Sequence, residues 1–177
     1  MLTHAAAAVL IPPAEVWEPI QALRRRYDRN LHRWMPHITL LYPFRPHDEF
    51  AALVPLLRAA CALVGPLDLE LTGADSFPQA GGRRVLWLAP EPAGAVQALH
   101  AALLAALPDC DATARHPGGF KPHLTFGQAD SPDEGERILE ELRRDWQPLR
   151  FRVSEVALIW RGESPGEPFR VGETVTL

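Results

Sequence analysis

The sequence predicts an α+β fold in which a β-α-β-α-β unit occurs twice and forms two pseudo-symmetric lobes around a central cleft. Each half of the chain carries one copy of a short motif, Pro36-His37-Ile38-Thr39 or Pro122-His123-Leu124-Thr125. The strand-like and helix-like patterns that flank the two copies recur in the same order. At 177 residues and 47% apolar composition, the chain has the size of a single globular domain.

The elements of the first half follow from hydrophobic periodicity and from Pro and acidic residues at their ends. Apolar residues recur at helical spacing in two segments, and they alternate with polar residues after Pro66. Arg24, Arg25 and Arg26 fall on the far side of the first helix and are interpreted as a solvated face. In order, the sequence predicts a strand at 5–11, a helix over 13–30, the motif strand at 37–42, a helix over 48–64 and a strand at 66–72.

The second half repeats this order. The returning strand at 83–88 echoes the first strand, and the segment 148–153 echoes 66–71. Between them the sequence predicts a helix around 97–99, the motif strand at His123 and a helix over 131–144. We therefore expect one domain with repeats over about 5–77 and 83–161. A final strand at about 168–177 has no partner in this scheme.

The two motif copies have a geometric meaning. Successive side chains of a strand point to opposite faces, so a His and a Thr two positions apart share one face. His37 and Thr39 would then project together, as would His123 and Thr125. Packing of the two units about a pseudo-twofold axis would bring both pairs to opposite walls of one cleft, where one imidazole can act as an acid and the other as a base.

Composition limits the partners. A net charge of -4 and a pI near 6 argue against charge-driven binding of duplex nucleic acid, but they allow a small anionic substrate or an RNA end. Cys61 and Cys110 form no CxxC pair or disulfide framework, which favours a reducing cytoplasm. The sequence has no HExxH or Cys/His cluster and no apolar run long enough for a membrane span. We expect a monomer without metal, cofactor or membrane association.

With these motifs, the sequence resembles the two-histidine (2H) phosphoesterases, and among them the 2′-5′ RNA ligases and RNA 2′,3′-cyclic phosphodiesterases. The resemblance implies two lobes of mostly antiparallel sheet, with helices outside and catalysis without a metal. It implies that His37, Thr39, His123 and Thr125 are catalytic. By analogy His123 is the base and His37 the acid, roles that reverse if the substrate binds the other way round, while the threonines hold the non-bridging phosphate oxygens.

The sequence departs from the family pattern after the second motif. Gln128 occupies a position where related phosphodiesterases carry an Arg, and an amide supplies no charge to a phosphate. Lys121 and Arg45 are candidates to compensate. The remaining candidates for substrate binding are aromatic residues near the motifs that could stack on a base: Tyr42, Trp34 and Phe120. Other tryptophans, including Trp87, are assigned to packing.

The expected function is metal-independent opening of 2′,3′-cyclic phosphates at RNA ends to 2′-phosphates, a step of RNA processing. The same site run backwards would perform 2′-5′ ligation. Alternative substrates are an ADP-ribose cyclic phosphate or a 2′-5′ oligonucleotide. Two further alternatives are a nucleotide- or RNA-binding module with weak turnover, and a metal hydrolase that uses His37 and His123 as ligands.

Overall fold

The computed structural model describes residues 1–162 and 164–177, and their strands form two four-stranded antiparallel sheets. The helices are α1 (Trp17–Tyr27), α2 (Phe50–Cys61), α3 (Ala93–Ala106) and α4 (Pro132–Asp145). The strands are β1 (Ala6–Leu10), β2 (Ile38–Leu41), β3 (Leu67–Pro78), β4 (Arg84–Glu91), β5 (Leu124–Ala129), β6 (Leu149–Val153), β7 (Glu155–Trp160) and β8 (Arg170–Thr176). The predicted α+β class and its two antiparallel lobes are confirmed.

The two sheets exchange strands between the halves of the chain. One sheet has the order β2-β1-β7-β8 and the other β5-β4-β3-β6. Strand β3 of the first half therefore lies in the sheet of the second-half strands β4, β5 and β6, and β7 of the second half lies in the sheet of β1 and β2. The predicted equivalence of 148–153 with 66–71 is wrong, because β6 and β3 are paired neighbours in one sheet. In position within its sheet, β3 corresponds to β7 and β6 to β8. The final strand, for which the repeat scheme had no counterpart, pairs with β7.

Local sequence signals set the boundaries of α4 as predicted. The Ser131 hydroxyl accepts a hydrogen bond from the Glu134 N–H at 3.2 Å, and the Glu134 carboxylate accepts one from the Asp130 N–H at 2.7 Å. Pro132 occupies the first turn, where a missing N–H costs nothing. These contacts satisfy donors that a helix start leaves unpaired.

The buried apolar residues form a large cluster and a small one. The large cluster includes residues from both sheets and from all four helices. The small one, which we call the groove cluster, consists of Ala7, Val9, Ala157, Ile159 and Phe169. Val9 pairs with Thr39 and with Ala157, and Ala7 pairs with Ile159, so the four strand residues of the groove cluster share the face of the first sheet that carries the motif threonine.

The second motif strand packs directly on the end of α1. A Cβ at Gly127 of β5 would lie only 2.8 Å from the Tyr27 carbonyl oxygen, closer than side-chain atoms tolerate. Only glycine allows this approach between backbones. The first-half helix therefore supports the strand that carries Thr125 and directly follows His123.

Candidate active site

The two motif histidines are held in the same way. The Nδ1 atoms of His37 and His123 each lie 2.7 Å from a backbone carbonyl oxygen, that of Met35 and of Lys121 respectively. A carbonyl can only accept, so in both rings the proton is on Nδ1 and the Nε2 lone pair is unprotonated. Both imidazoles are therefore set as proton acceptors, and each becomes a donor through Nε2 once protonated.

The motif threonines lie beside their histidines. Thr39 pairs across the sheet with Val9, and Thr125 pairs with Trp87. Each histidine lies one residue before the strand that carries its threonine, two positions ahead of that threonine. All four side chains are neither fully buried nor fully exposed, and their polar atoms can meet a small ligand.

The two motifs belong to one site. Strands β2 and β5 come into contact although they belong to different sheets. The charge of a protonated His123 is among the factors that lower the pKa of His37, which places the two imidazoles within electrostatic reach. One anionic group between the lobes would be exposed to both.

The His37 ring is covered by a stack of aromatic rings. Trp34 stacks on His37 with centroids 4.8 Å apart, and Phe169 stacks on Trp34 at 3.8 Å. The guanidinium of Arg161 lies 5.6 Å from the Phe169 centroid. Burial lowers the pKa of His37 to about 4, although the hydrogen bond to the Met35 carbonyl acts in the opposite direction.

The prediction that Trp34 stacks on a substrate base therefore loses its basis. The Trp34 indole stacks on both His37 and Phe169, and these two rings use its two faces. No face is left for a base. Trp34 packs against the His37 imidazole instead.

The His123 ring has a more open setting. It meets Phe77 and Trp87 edge to face, with centroids at 4.9 and 6.0 Å. Burial lowers its pKa, the Lys121 carbonyl opposes that shift, and the charges of His116 and Lys121 lower the pKa further. Trp87, which the sequence assigned only to packing, thus lies beside the second motif.

A buried polar network connects the two lobes behind the site. Arg24 is only 2% exposed, so its interpretation as part of a solvated face is wrong. Its guanidinium donates to the Asp28 carboxylate at 2.9 Å and to the Trp34 carbonyl at 2.7 Å. The Gln128 amide donates to Asp28 at 3.1 Å and accepts from the Arg29 N–H at 3.0 Å. Gln128 thus ties β5 to the end of α1, and its amide already has partners.

The candidates to compensate for Gln128 have different surroundings. The Arg45 guanidinium lies 2.7 Å from the Asp109 carboxylate and 3.9 Å from that of Glu49, and two carboxylates neutralise it. The Lys121 ammonium lies 4.7 Å from the Trp87 centroid and 3.7 Å from the Asp75 carboxylate. Lys121 is therefore the cation beside the second motif, while Arg45 is engaged elsewhere.

The two remaining aromatic candidates lie on different sides of the site. Tyr42 packs on the groove cluster 6.0 Å from Trp34, and its hydroxyl donates to the His4 carbonyl at 3.3 Å. Phe120 stacks on His100 with centroids 3.9 Å apart and lines a pocket next to Lys121. Both stay candidates for substrate contact.

Several residues at the site were not found from the sequence: Arg24, Asp28, Phe77, Trp87 and Phe169. The i,i+4 spacing of Arg24 and Asp28 was a signal for an ion pair, but not for its burial. The aromatic residues carry no local signal, because strands from distant parts of the chain bring them to the histidines.

Two further observations concern metal ions and membranes. Residues 1–162 and 164–177 contain no group of three or more His, Cys, Asp and Glu side chains arranged to hold a metal ion. In the same residues, no helix has the length and apolarity that crossing a bilayer would require.

A two-lobed antiparallel fold with a His-X-Thr strand in each lobe defines the 2H phosphoesterases. A family model described as the 2′-5′ RNA ligase superfamily matches residues 12–165, and the chain belongs to this family. A Geobacillus kaustophilus protein named "Putative phosphoesterase" is 29% identical over 174 residues, covering 96% of this chain and 97% of its own. A Bacillus pumilus protein of the same name is 32% identical over 136 residues, or 76% of each chain. These relatives support an enzyme of the phosphodiesterase type.

Solved structures share the fold. TT0787 of Thermus thermophilus is 25% identical, with a TM-score of 0.66 over 97% of both chains. Escherichia coli LigT, solved in complex with 3′-AMP, is 19% identical, with a TM-score of 0.62 over 98% of both chains. At that level of identity LigT supports the architecture alone.

Proposed function

We propose that this protein is a metal-independent phosphodiesterase that opens 2′,3′-cyclic phosphates at RNA ends and leaves a 2′-phosphate. The observation that carries the proposal is the pair of imidazoles with identical tethers and unprotonated Nε2 atoms in one site. His37, Thr39, His123 and Thr125 would be the catalytic residues. The reverse reaction would join a cyclic phosphate to a 5′-hydroxyl in a 2′-5′ linkage.

The chemistry requires one proton acceptor and one proton donor. Water attacks phosphorus while the bond between phosphorus and O3′ breaks. One Nε2 accepts a proton from water, and the other, protonated beforehand, gives its proton to O3′. The attacking oxygen stays on phosphorus as part of the 2′-phosphate. Acid and base groups held in position contribute about 10² to 10⁴ each in rate.

The surroundings of the rings favour His37 as the base and His123 as the acid, the reverse of the assignment by resemblance. With a pKa of about 4, His37 is unprotonated at neutral pH. His123 meets its aromatic neighbours only edge to face, so its protonated form is less strongly desolvated. A bound phosphate would raise the pKa of both rings, and the more open ring gains a proton more readily.

The threonines complete the proposed site. Charge on the non-bridging oxygens of phosphorus must be held through the transition state, and hydroxyl donors fixed on strands are already oriented for it. Thr39 and Thr125 lie two residues after the histidines, on the strands that directly follow them. They would each donate one hydrogen bond to a non-bridging oxygen.

Hydrolysis of a short RNA with a 2′,3′-cyclic phosphate, in excess EDTA, tests this proposal. The wild-type protein should release a 2′-phosphate, while His37→Ala and His123→Ala should each lose about 10³-fold in rate. His32→Ala, outside the two motifs, is the matched control and should keep full activity. Full activity of either motif variant would refute the two-histidine reaction, and inhibition of the wild type by EDTA would favour a metal hydrolase.

A binding module with weak turnover is the second candidate. Gln128 favours it, because its amide is used by Asp28 and Arg29 and adds no charge at the site. This candidate predicts that the same RNA binds in a titration without being cleaved. Hydrolysis of adenosine 2′,3′-cyclic phosphate or ADP-ribose cyclic phosphate, but not of the RNA, would instead indicate a small nucleotide substrate.

A further inference from the structure

A pocket of about 530 Å³ opens beside the second motif. We propose, on the basis of the proposed function, that this pocket binds the nucleoside that carries the cyclic phosphate. We call it the β4 pocket. The side chains that define it are Trp87, Ala89, Glu91, Gln97, Phe120 and Lys121.

The register of the second sheet makes the β4 pocket continuous with the catalytic motif. Trp87 of β4 is paired directly with Thr125 of β5, so both side chains lie on one face. Ala89 and Glu91 follow Trp87 at two-residue spacing and continue that face along the strand. A phosphate at Thr125 would therefore have its nucleoside over β4.

The floor of the β4 pocket is made of small residues. Ala89 pairs with Gly73 of β3, and a Cβ added at Gly73 would meet no atom within 4 Å. Larger side chains at these two positions would fill the space over the sheet. The sequence thus leaves room here that a packed core would not contain.

The corresponding face of the first sheet is occupied. There the groove cluster packs against Trp34, Met35 and Tyr42, and Phe169 and Trp34 lie stacked beside His37. Aromatic side chains of the protein take the space that a base would need. Of the two faces that carry a motif threonine, the one over β4 therefore accommodates the nucleoside.

The walls of the β4 pocket suit a nucleoside. Phe120 supplies aromatic surface, and its ring is fixed by its stack on His100 at 3.9 Å. Trp87 is only 3% exposed and has Phe77 stacked on it with centroids 4.9 Å apart, so it forms a closed wall of the pocket. The Lys121 ammonium stands over the Trp87 ring, where it can also approach a phosphate. Aromatic surface next to a cation is the combination that binds bases and backbones of single-stranded nucleic acid.

Polar groups of the β4 pocket match a ribose and a base edge. One oxygen of Glu91 accepts the Ala93 N–H at 2.8 Å, and its other oxygen has no partner among the described residues. The Trp87 indole N–H is buried and has no acceptor within residues 1–162 and 164–177. A buried donor without an acceptor is destabilising. A hydroxyl could donate to Glu91, and a ligand acceptor could pair with Trp87.

The position of the nucleoside also determines which histidine lies near the leaving oxygen and can act as the acid. The oxygen that leaves phosphorus is O3′ of that nucleoside, so a ribose over β4 places O3′ on the His123 side. His123 then delivers the proton, and water approaches from the His37 side. The β4 pocket and the assignment of His123 as acid are thus consistent in geometry.

The test compares a substrate that has a base with one that lacks it. Ala93→Leu adds bulk to the lining of the β4 pocket at the start of α3, six residues beyond Trp87, and Ala101→Leu on the exposed face of the same helix is the matched control. For adenosine 2′,3′-cyclic phosphate we expect Ala93→Leu to raise KM about tenfold, which is the factor that loss of one stacked base typically costs. For glycerol 1,2-cyclic phosphate, which has no base to displace, kcat/KM should fall by a much smaller factor.

The outcomes separate the β4 pocket from the proposed function. Unchanged kinetics of Ala93→Leu on both substrates would overturn the pocket while leaving the phosphodiesterase intact. Equal losses on both substrates would also overturn it, because the effect would not depend on the nucleoside. If the wild type hydrolyses neither substrate, the proposed function fails, and calorimetric titration with adenosine 2′-phosphate then decides the pocket. Binding by Ala101→Leu but not by Ala93→Leu supports the pocket, and equal binding overturns it.

Discussion

The His37 and His123 half-sites share a tether and differ in everything around it. Each imidazole donates from Nδ1 to the carbonyl two residues earlier, at the same 2.7 Å. Around His37, the parallel ring of Trp34 closes one side, and a buried Arg24–Asp28 ion pair lies behind it. Around His123, rings approach by their edges, and the β4 pocket opens next to it.

This difference shows how a duplicated motif can supply two different functions. The local hydrogen bond fixes the tautomer, and it is identical because the local sequence is nearly identical. Burial sets the proton affinity, and it differs because other parts of the chain supply the neighbours. A desolvated His37 and a more open His123 fit a base and an acid, respectively.

The largest expected effect comes from removing the charge behind His37. Arg24→Met leaves the Asp28 carboxylate buried without its cation, and breaking a buried pair from one side typically costs about 3–5 kcal/mol. Arg25→Met on the same helix breaks an exposed pair with Glu18 and should cost about 0–1 kcal/mol. Urea denaturation of both variants measures their free energies of unfolding. Equal losses would mean that the buried Arg24–Asp28 ion pair contributes no more to stability than the exposed Arg25–Glu18 pair.

The second comparison concerns the threonines. Thr39→Val and Thr125→Val keep shape but remove the hydroxyl, and loss of one donor to a developing anion costs about 10²–10³ in kcat. Both variants should fold, since the side chains are only partly buried. Kinetics on the cyclic phosphate RNA give the result. A change in KM alone would show that the hydroxyls bind the ground state and do not act in the transition state.

The third comparison alters the stack on His37. The pH profile of kcat/KM should be bell-shaped, with an acid limb from His37 near its pKa of about 4 and an alkaline limb from His123, whose pKa burial lowers. Trp34→Leu exposes His37, raises its pKa and moves the acid limb to higher pH. Phe77→Leu, the matched change beside His123, should move the alkaline limb instead. Movement of the same limb in both variants would contradict the separate roles.

The smallest expected effect is on stability. Between pH 6.5 and about 4, an unfolded His37 binds a proton that the folded one does not, so the free energy of unfolding falls as pH falls. At pH 5 the loss should be about 1 kcal/mol after solvent screening, and His37→Asn should remove it. Urea denaturation at pH 7 and pH 5 measures both proteins. The same pH dependence in His37→Asn would refute the assigned burial.

The catalytic motif could be predicted because its information is local. Two-residue spacing places His37 with Thr39 and His123 with Thr125 on a strand face without knowledge of the rest of the fold. The boundaries of α4 were equally local, since Ser131 and Pro132 define its start. Of the residues that line the β4 pocket, only Lys121 and Phe120 were predicted from the sequence to bind substrate.

The sheet order and the buried network depend on distant contacts. Segments 66–71 and 148–153 have the same sequence pattern because both are half-buried strands of one sheet. That pattern does not distinguish two strands paired with each other from two strands that are equivalent in the two repeats. Arg24 was placed in solvent because charge usually faces water. Its burial follows from Asp28, Gln128 and the Trp34 carbonyl, which only the folded chain assembles.

The most direct test of the acid–base pair uses a 2′,3′-cyclic phosphate in which sulfur replaces O3′. A thiolate leaves without a proton because the pKa of a thiol is about 8.5, so the acid is no longer needed. On this substrate His123→Ala should recover most of the wild-type rate, while His37→Ala should stay about 10³-fold slower. Equal defects in both variants, or recovery of His37→Ala alone, would contradict the roles assigned to the two histidines.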